Sequence, residues 1–121
     1  MAATEQTRGI PYNALFGVAP RFPDQELTDS GAITLLAGGV VVLNKAGVIA
    51  ATLAAPAQDG VVLLIGSITA QAHTVTVTGG LGGLGAGSDV GTFGAAIGNG
   101  CILFSKGGYW VQAVGLNVTW A

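Results

Sequence analysis

The chain has 121 residues, a net charge of -2 and a sequence pI near 4.9, and only 8% of its residues are charged, against about 25% in an ordinary soluble domain. One domain with one core is the expectation at this length. With four Lys and Arg in all, the sequence argues against a nucleic-acid partner, because such surfaces neutralise many phosphates with basic side chains.

Residues 1–30 differ from everything after them. They hold Glu5, Arg8, Arg21, Asp24, Glu26 and Asp29, and the prolines Pro11, Pro20 and Pro23 alternate with Tyr12, Phe16 and Phe22. Proline at that density interrupts helices and removes ladder donors from sheets, so the segment reads as an extended N-terminal arm. Its aromatics and Ile10 exceed what a solvated tail carries. Arg8, Ile10, Tyr12, Phe16, Arg21 and Phe22 are therefore the candidate residues for docking on a partner or a neighbouring subunit. Glu5 and Arg8 sit where the apolar region of a secretory leader would begin, which predicts a protein that stays in the cytoplasm where it is made unless an assembly carries it out.

The β-rich body, residues 31–121, begins at Gly31. Strands are predicted over Ala32 to Leu36, Val40 to Leu43 and Val48 to Leu53, with Gly38-Gly39 between the first two. The linker Asn44-Lys45-Ala46-Gly47 has the length and residue types of a four-residue hairpin loop, with Lys45 keeping its tip in water. Ala54 to Gln58, which contains Pro56, is a connection.

The stretch Asp59 to Thr78 organises the rest. Asp59-Gly60 supplies the positive-φ positions of a tight turn, an apolar run follows, and then a strict alternation puts His73, Val75 and Val77 on one side and Thr74, Thr76 and Thr78 on the other. These apolar runs are of strand length and punctuated by Gly, Thr, Gln and His, so no membrane span is predicted.

After Thr78 the chain turns glycine-rich. This stretch is expected to form a long loop pinned by Leu81, Leu84, Val90, Phe93 and Ile97, or else to be mobile. Gly80 to Gly85 satisfies G-x-G-x-x-G, but no helix-forming sequence follows and no acidic residue lies about 20 positions on, so it is not a dinucleotide fingerprint. Asn99-Gly100 and Lys106-Gly107-Gly108 both read as hairpin signals around a strand from Cys101 to Ser105. Finally Leu116, Val118 and Trp120 alternate with Asn117 and Thr119 as a terminal strand.

Catalytic chemistry is hard to assemble from this inventory. His73 is the only histidine and Cys101 the only cysteine, so no disulfide within the chain, no multi-cysteine zinc site and no local dyad can form. Paired carboxylates are absent outside the arm. The chain is predicted to be no enzyme and to take no cofactor and no metal, with His73, Asp59, Gly60, Trp110 and Trp120 in structural roles. From Gly31 onward the only charges are Lys45, Asp59, Asp89 and Lys106. A free monomer with that surface would be poorly soluble, so obligate oligomerisation is expected, preferably in a closed three-fold ring.

The Asp59-Gly60 turn into Val61 to Ile65, then Ala72 to Thr76, a Gly-rich loop with Asp89 and Thr92-Phe93, Gly100 into Ile102-Leu103-Phe104, Gly107-Gly108-Tyr109-Trp110 and a closing Asn117-Val118-Thr119 together resemble small structural proteins of tailed-bacteriophage virions, of the capsid decoration (cement) or head-fibre kind. The resemblance covers residues 28–121. It implies a β-rich module, usually a homotrimer, bound to the major capsid protein on the outside of the icosahedral shell. The fold expected is all-β, a β-sandwich or jelly-roll-like module of eight to ten short strands behind the arm. A tail-fibre or spike module binding a host glycan through Tyr109, Trp110 and Trp120 is the first alternative, and a tail-tube or adaptor subunit the second.

Overall fold

The fold sorts the strands of this chain into two layers, with the uninterrupted apolar runs Val40 to Leu43 and Val62 to Ile65 in one and the alternating run Thr74 to Val77 in the other. A computed structural model describes residues 21–85 and 87–121, so Arg8, Ile10, Tyr12 and Phe16 lie outside the described residues. Ten strands are present among them: β1 (Asp24–Leu27), β2 (Gly31–Ala32), β3 (Gly39–Leu43), β4 (Ala50–Leu53), β5 (Val62–Ser67), β6 (Thr74–Val77), β7 (Val90–Phe93), β8 (Gly100–Lys106), β9 (Tyr109–Leu116) and β10 (Val118–Trp120). Among the described residues the one helical element is a single 3-10 turn at Leu81–Gly83.

One sheet has the order β9-β8-β5-β3-β1 and the other β10-β7-β6-β4-β2. For its first six strands the chain changes sheet at every connection. It thus winds, laying β1, β3 and β5 parallel in the first sheet and β2, β4 and β6 parallel in the second. The remaining strands add in antiparallel fashion, β8 and β9 beyond β5 and β7 and β10 beyond β6. The result is all-β, two mixed sheets sharing one core, as in a sandwich. Val41, Leu43, Leu63, Ile65, Leu103 and Trp110 of the first sheet meet Ala51, Leu53, Val75, Val77 and Phe93 of the second, all essentially inaccessible to solvent.

The winding corrects the expected hairpin at Asn44–Gly47. Those residues carry the chain from β3 in one sheet to β4 in the other. Each strand has a single face that must be buried: crossing sheets sets Val41 and Leu43 opposite Ala51 and Leu53, whereas a hairpin would place them side by side in one layer. The linker stacks instead on the preceding one: Asn44 N–H donates to the Leu27 carbonyl at 2.9 Å, Asn44 Nδ2 to Glu26 Oε2 at 2.6 Å, and Lys45 Nζ to Asp29 Oδ1 at 2.6 Å. That Lys45 hydrogen bond holds the Asp29 carboxyl below the usual carboxylate range. Residues 24–27, on the arm side of Gly31, are part of this winding and form the edge strand β1.

Asn99-Gly100 is likewise no hairpin turn, because it ends the crossing from β7 in one sheet to β8 in the other. Gly107-Gly108 is one. Tyr109 faces Lys106 across it, and both glycines have positive φ, 64° and 83°, the backbone of a two-residue turn matched to strand twist. The terminal strand is also shorter than expected. Asn117, at φ 56°, ends β9, so Leu116 stays exposed on the first sheet while Val118 and Trp120 pack against the core from the second.

In the glycine-rich segment, Leu81 packs on the core and Phe93 is buried within it. Leu84 and Ile97 are about 70% exposed or more and pin nothing (76% and 70%). Backbone bonds hold the loop, with Leu81 N–H donating to Ser88 and Gly85 N–H to Gly79. The Tyr109 ring lies so close over Gly83 that a Cβ there would come within 2.9 Å of it.

Candidate functional site

Strand pairing fixes which side chains share a face, because residues in register on neighbouring strands project to the same side of the sheet. On the outside of the first sheet, Val114, Ile102, Leu64, Val40 and Asp24 form one row. Val111, Phe104 and Val62 form the next. Leu116, Gly100, Gly66, Val42 and Glu26 form the third. From β9 to β3 these rows are made of Val, Leu, Ile, Phe and Gly, with Tyr109 and Lys106 beside the β8–β9 turn, and carboxylates enter only on edge strand β1. Arg21 and Phe22 lie at the same edge, lining a shallow open groove with Asp24, Val40 and Val42.

The opposite outer surface is chemically different. Ala50, Thr74, Thr92 and Thr119 form one row of the second sheet, and Ala32, Thr52, Thr76 and Val90 the next. Threonine suits a strand face left in water, since its hydroxyl is solvated and its branched Cβ favours extended backbone. The molecule thus has one dry face and one wettable face.

Between the faces lies a polar node built on His73. The ring is inaccessible; its Nδ1 accepts the Ile49 N–H at 2.9 Å and its Nε2 lies 2.9 Å from Thr69 Oγ1. Because Nδ1 accepts, the neutral ring carries its proton on Nε2 and donates to Thr69. Burial lowers the His73 pKa. A ring with both nitrogens engaged has neither free to attack a substrate or relay a proton to one. Cys101 is also buried, and desolvation pushes its thiol up to about 12, far from the thiolate a nucleophile needs.

The other singled-out residues are joints. Gly60 takes φ 79° and donates its N–H to the Ser105 carbonyl at 3.0 Å, while Asp59 reaches Lys106 at 3.7 Å, so the turn is tied to β8. Trp110 fills the core and donates Nε1–H to the Ala54 carbonyl at 2.9 Å. Trp120 donates Nε1–H to Gln112 Oε1 at 2.7 Å. Of the three aromatics considered for a glycan, only Tyr109 is well exposed, and its ring lies against Gly79 and Gly83. Among the described residues no three His, Cys, Asp or Glu side chains come together in a way that could hold a metal ion, and no helix is long and apolar enough to cross a membrane.

The dry face of the first sheet is the feature that reading the sequence for motifs did not single out. Its signal was present in the uninterrupted apolar runs Val40 to Leu43 and Val61 to Ile65, since a strand apolar at every position is one covered on both sides. No protein-family model, curated protein or solved structure matches the chain.

Proposed function

We propose that this chain is a virion structural protein that decorates the outer surface of a tailed-phage capsid as a homotrimer bound to the major capsid protein, and reinforces the shell against internal pressure. The observation that carries the reading is the outer face of the first sheet. It presents a broad apolar surface and no reactive group, on a chain with 8% charged residues, which suits permanent contact with other subunits better than turnover of a substrate. The sequence resemblance supplies the kind of assembly. The host-glycan alternative loses support from Trp110 and Trp120, whose rings are occupied in packing.

In this proposal residues Arg8 to Phe22 clamp the trimer to the shell, because aromatic anchors beside charges are the usual composition of binding hot spots. The test is deletion of residues 1–20, keeping Arg21 onward because the Pro23 carbonyl accepts the Val40 N–H at 2.9 Å. The truncated protein should keep its trimer mass and lose binding to undecorated shells. Undiminished shell binding would show that the arm is not the attachment device.

A further inference from the structure

We infer that the outer face of the first sheet is the surface through which copies of this chain bind one another, with β5 and β8 turned toward the symmetry axis and the threonine face turned to solvent. The inference rests on the homotrimer reading above and gives it a surface.

Three observations carry it. The first is the contrast between the two sheets. Both belong to one chain and share one core, yet from β3 to β8 the outward positions of the first sheet are Val, Leu, Ile, Phe or Gly up to Lys106 at the end of β8, while those of the second sheet from β2 to β7 are Thr and Ala apart from Val90. Outward positions are free of core constraints, so this difference reports what lies outside each sheet.

The second is area. Val62, Leu64, Phe104, Val114 and Leu116 are each between 38% and 60% exposed, which leaves on the order of 400 Å² of these side chains open, a patch of the size that is often functional on a monomer. Three such faces turned to one axis bring together about 1,200 Å², above the ~1,000 Å² where specific interfaces begin. Around that axis the face of each copy meets those of both neighbours, so the rows of Val and Leu pack into one shared core.

The third is the placement of charge at the rim. Asp24 and Glu26 lie on β1 at one edge and, with Arg21, leave that edge one negative charge; Lys106 lies at the β8–β9 turn at the other edge, 78% exposed along its side chain and only 3.7 Å-paired with Asp59. A closed head-to-tail ring brings the β9 edge of one copy against the β1 edge of the next, setting Lys106 toward the acidic edge, where it gains carboxylate partners besides Asp59.

The test copies the second sheet onto the first. Val62→Thr, Leu64→Thr and Phe104→Thr together keep β-branched or strand-compatible residues at exposed positions, and circular dichroism with urea unfolding checks that the fold is intact. A second variant, Val114→Thr with Leu116→Thr, alters only edge strand β9 and serves if the triple variant unfolds. Sedimentation of the full-length wild type should give three times the 11.9 kDa chain. Either threonine variant should fall to the single-chain mass or self-associate at least about 100-fold more weakly, and Thr52→Lys with Thr76→Lys on the other face should change nothing. A trimeric wild type whose folded variants stay trimeric overturns this assignment alone. If those variants remain trimeric but lose binding to undecorated shells, the face belongs to the capsid and the assignment again fails. A wild type that sediments as a single chain contradicts the homotrimer reading itself.

Discussion

Ile49 donates its backbone N–H to Nδ1 of His73 at 2.9 Å, and the Ile49 carbonyl accepts from the N–H of the next residue, Thr74, at 2.9 Å. A backbone unit in one winding of the chain is thereby satisfied from both sides by the winding that follows. Without the imidazole the Ile49 N–H would be buried and unpaired, which costs about 1–3 kcal/mol. Here the ring acts as a piece of backbone.

That role sets a pH dependence. Nδ1 must stay unprotonated to accept, and burial lowers the folded-state pKa of His73. The unfolded chain therefore takes up the proton first as pH falls. The contribution of His73 to stability should be complete above the unfolded histidine value of about 6.5 and be lost progressively below it. Urea midpoints measured between pH 8 and pH 5 should be flat at first and then decline. His73→Asn, whose side-chain oxygen can accept but does not titrate, should remove this part of the decline; an unchanged profile would show that His73 is not its source.

Ser105 is the matching joint at the other end. Its Oγ accepts the Val61 N–H at 2.9 Å and donates to the Gln58 carbonyl at 2.7 Å, anchoring the Asp59-Gly60 turn on β8. Ser105→Ala leaves both groups without that partner and should cost about 2–3 kcal/mol in chemical denaturation. A loss under about 0.5 kcal/mol would mean that the turn finds other partners.

Gly100 stands beside Gly66 where β8 pairs with β5. A Cβ at Gly100 would collide with the Ile65 carbonyl oxygen, a backbone atom that cannot turn away. Gly100→Ala should therefore destabilise by about 2–4 kcal/mol, in the range of overpacked sites, whereas Gly98→Ala, with open space around the site but φ 90°, should cost about 1 kcal/mol from backbone strain alone. Equal losses in the two variants would contradict the close approach of β5 and β8.

Much of this architecture was legible in the residues. The alternation from His73 to Val77 puts those residues inside and Thr76 outside, as the structure has it, and Gly107-Gly108 makes its hairpin. The winding was not legible, for two reasons. Linkers such as Asn44–Gly47 have hairpin length, and nothing in four residues states whether the next strand stays in the layer or crosses the core. The windings are also unequal: Asp24 pairs with Val40 and Val40 with Leu64, offsets of 16 and 24, while Gly31 pairs with Ala51 and Ala51 with Val75, offsets of 20 and 24. No fixed period exists for a repeat search to find. The dry face stayed hidden for a related reason. The unbroken apolar runs Val40 to Leu43 in β3 and Val62 to Ile65 in β5 read simply as strong strands until the sheet order shows that half of those side chains point away from the core.

Cys101 gives a clean reporter of the folded state. With its thiol buried and pushed up to about 12, it should resist alkylation at pH 8 in the native protein and label within minutes in denaturant, with protection of at least about 100-fold. Rapid labelling without denaturant would contradict the packing of β8 against the core.

The central claim is that this chain coats a shell, and imaging tests it most directly. On the proposal that the chain belongs to a tailed phage, undecorated capsids of that phage are incubated with the purified full-length chain and examined by electron cryomicroscopy. The account predicts added density on the outer surface at three-fold or local three-fold positions, sized for three chains of 11.9 kDa. Shells that remain bare, or native particles on which density for this chain lies only on the tail, would contradict it.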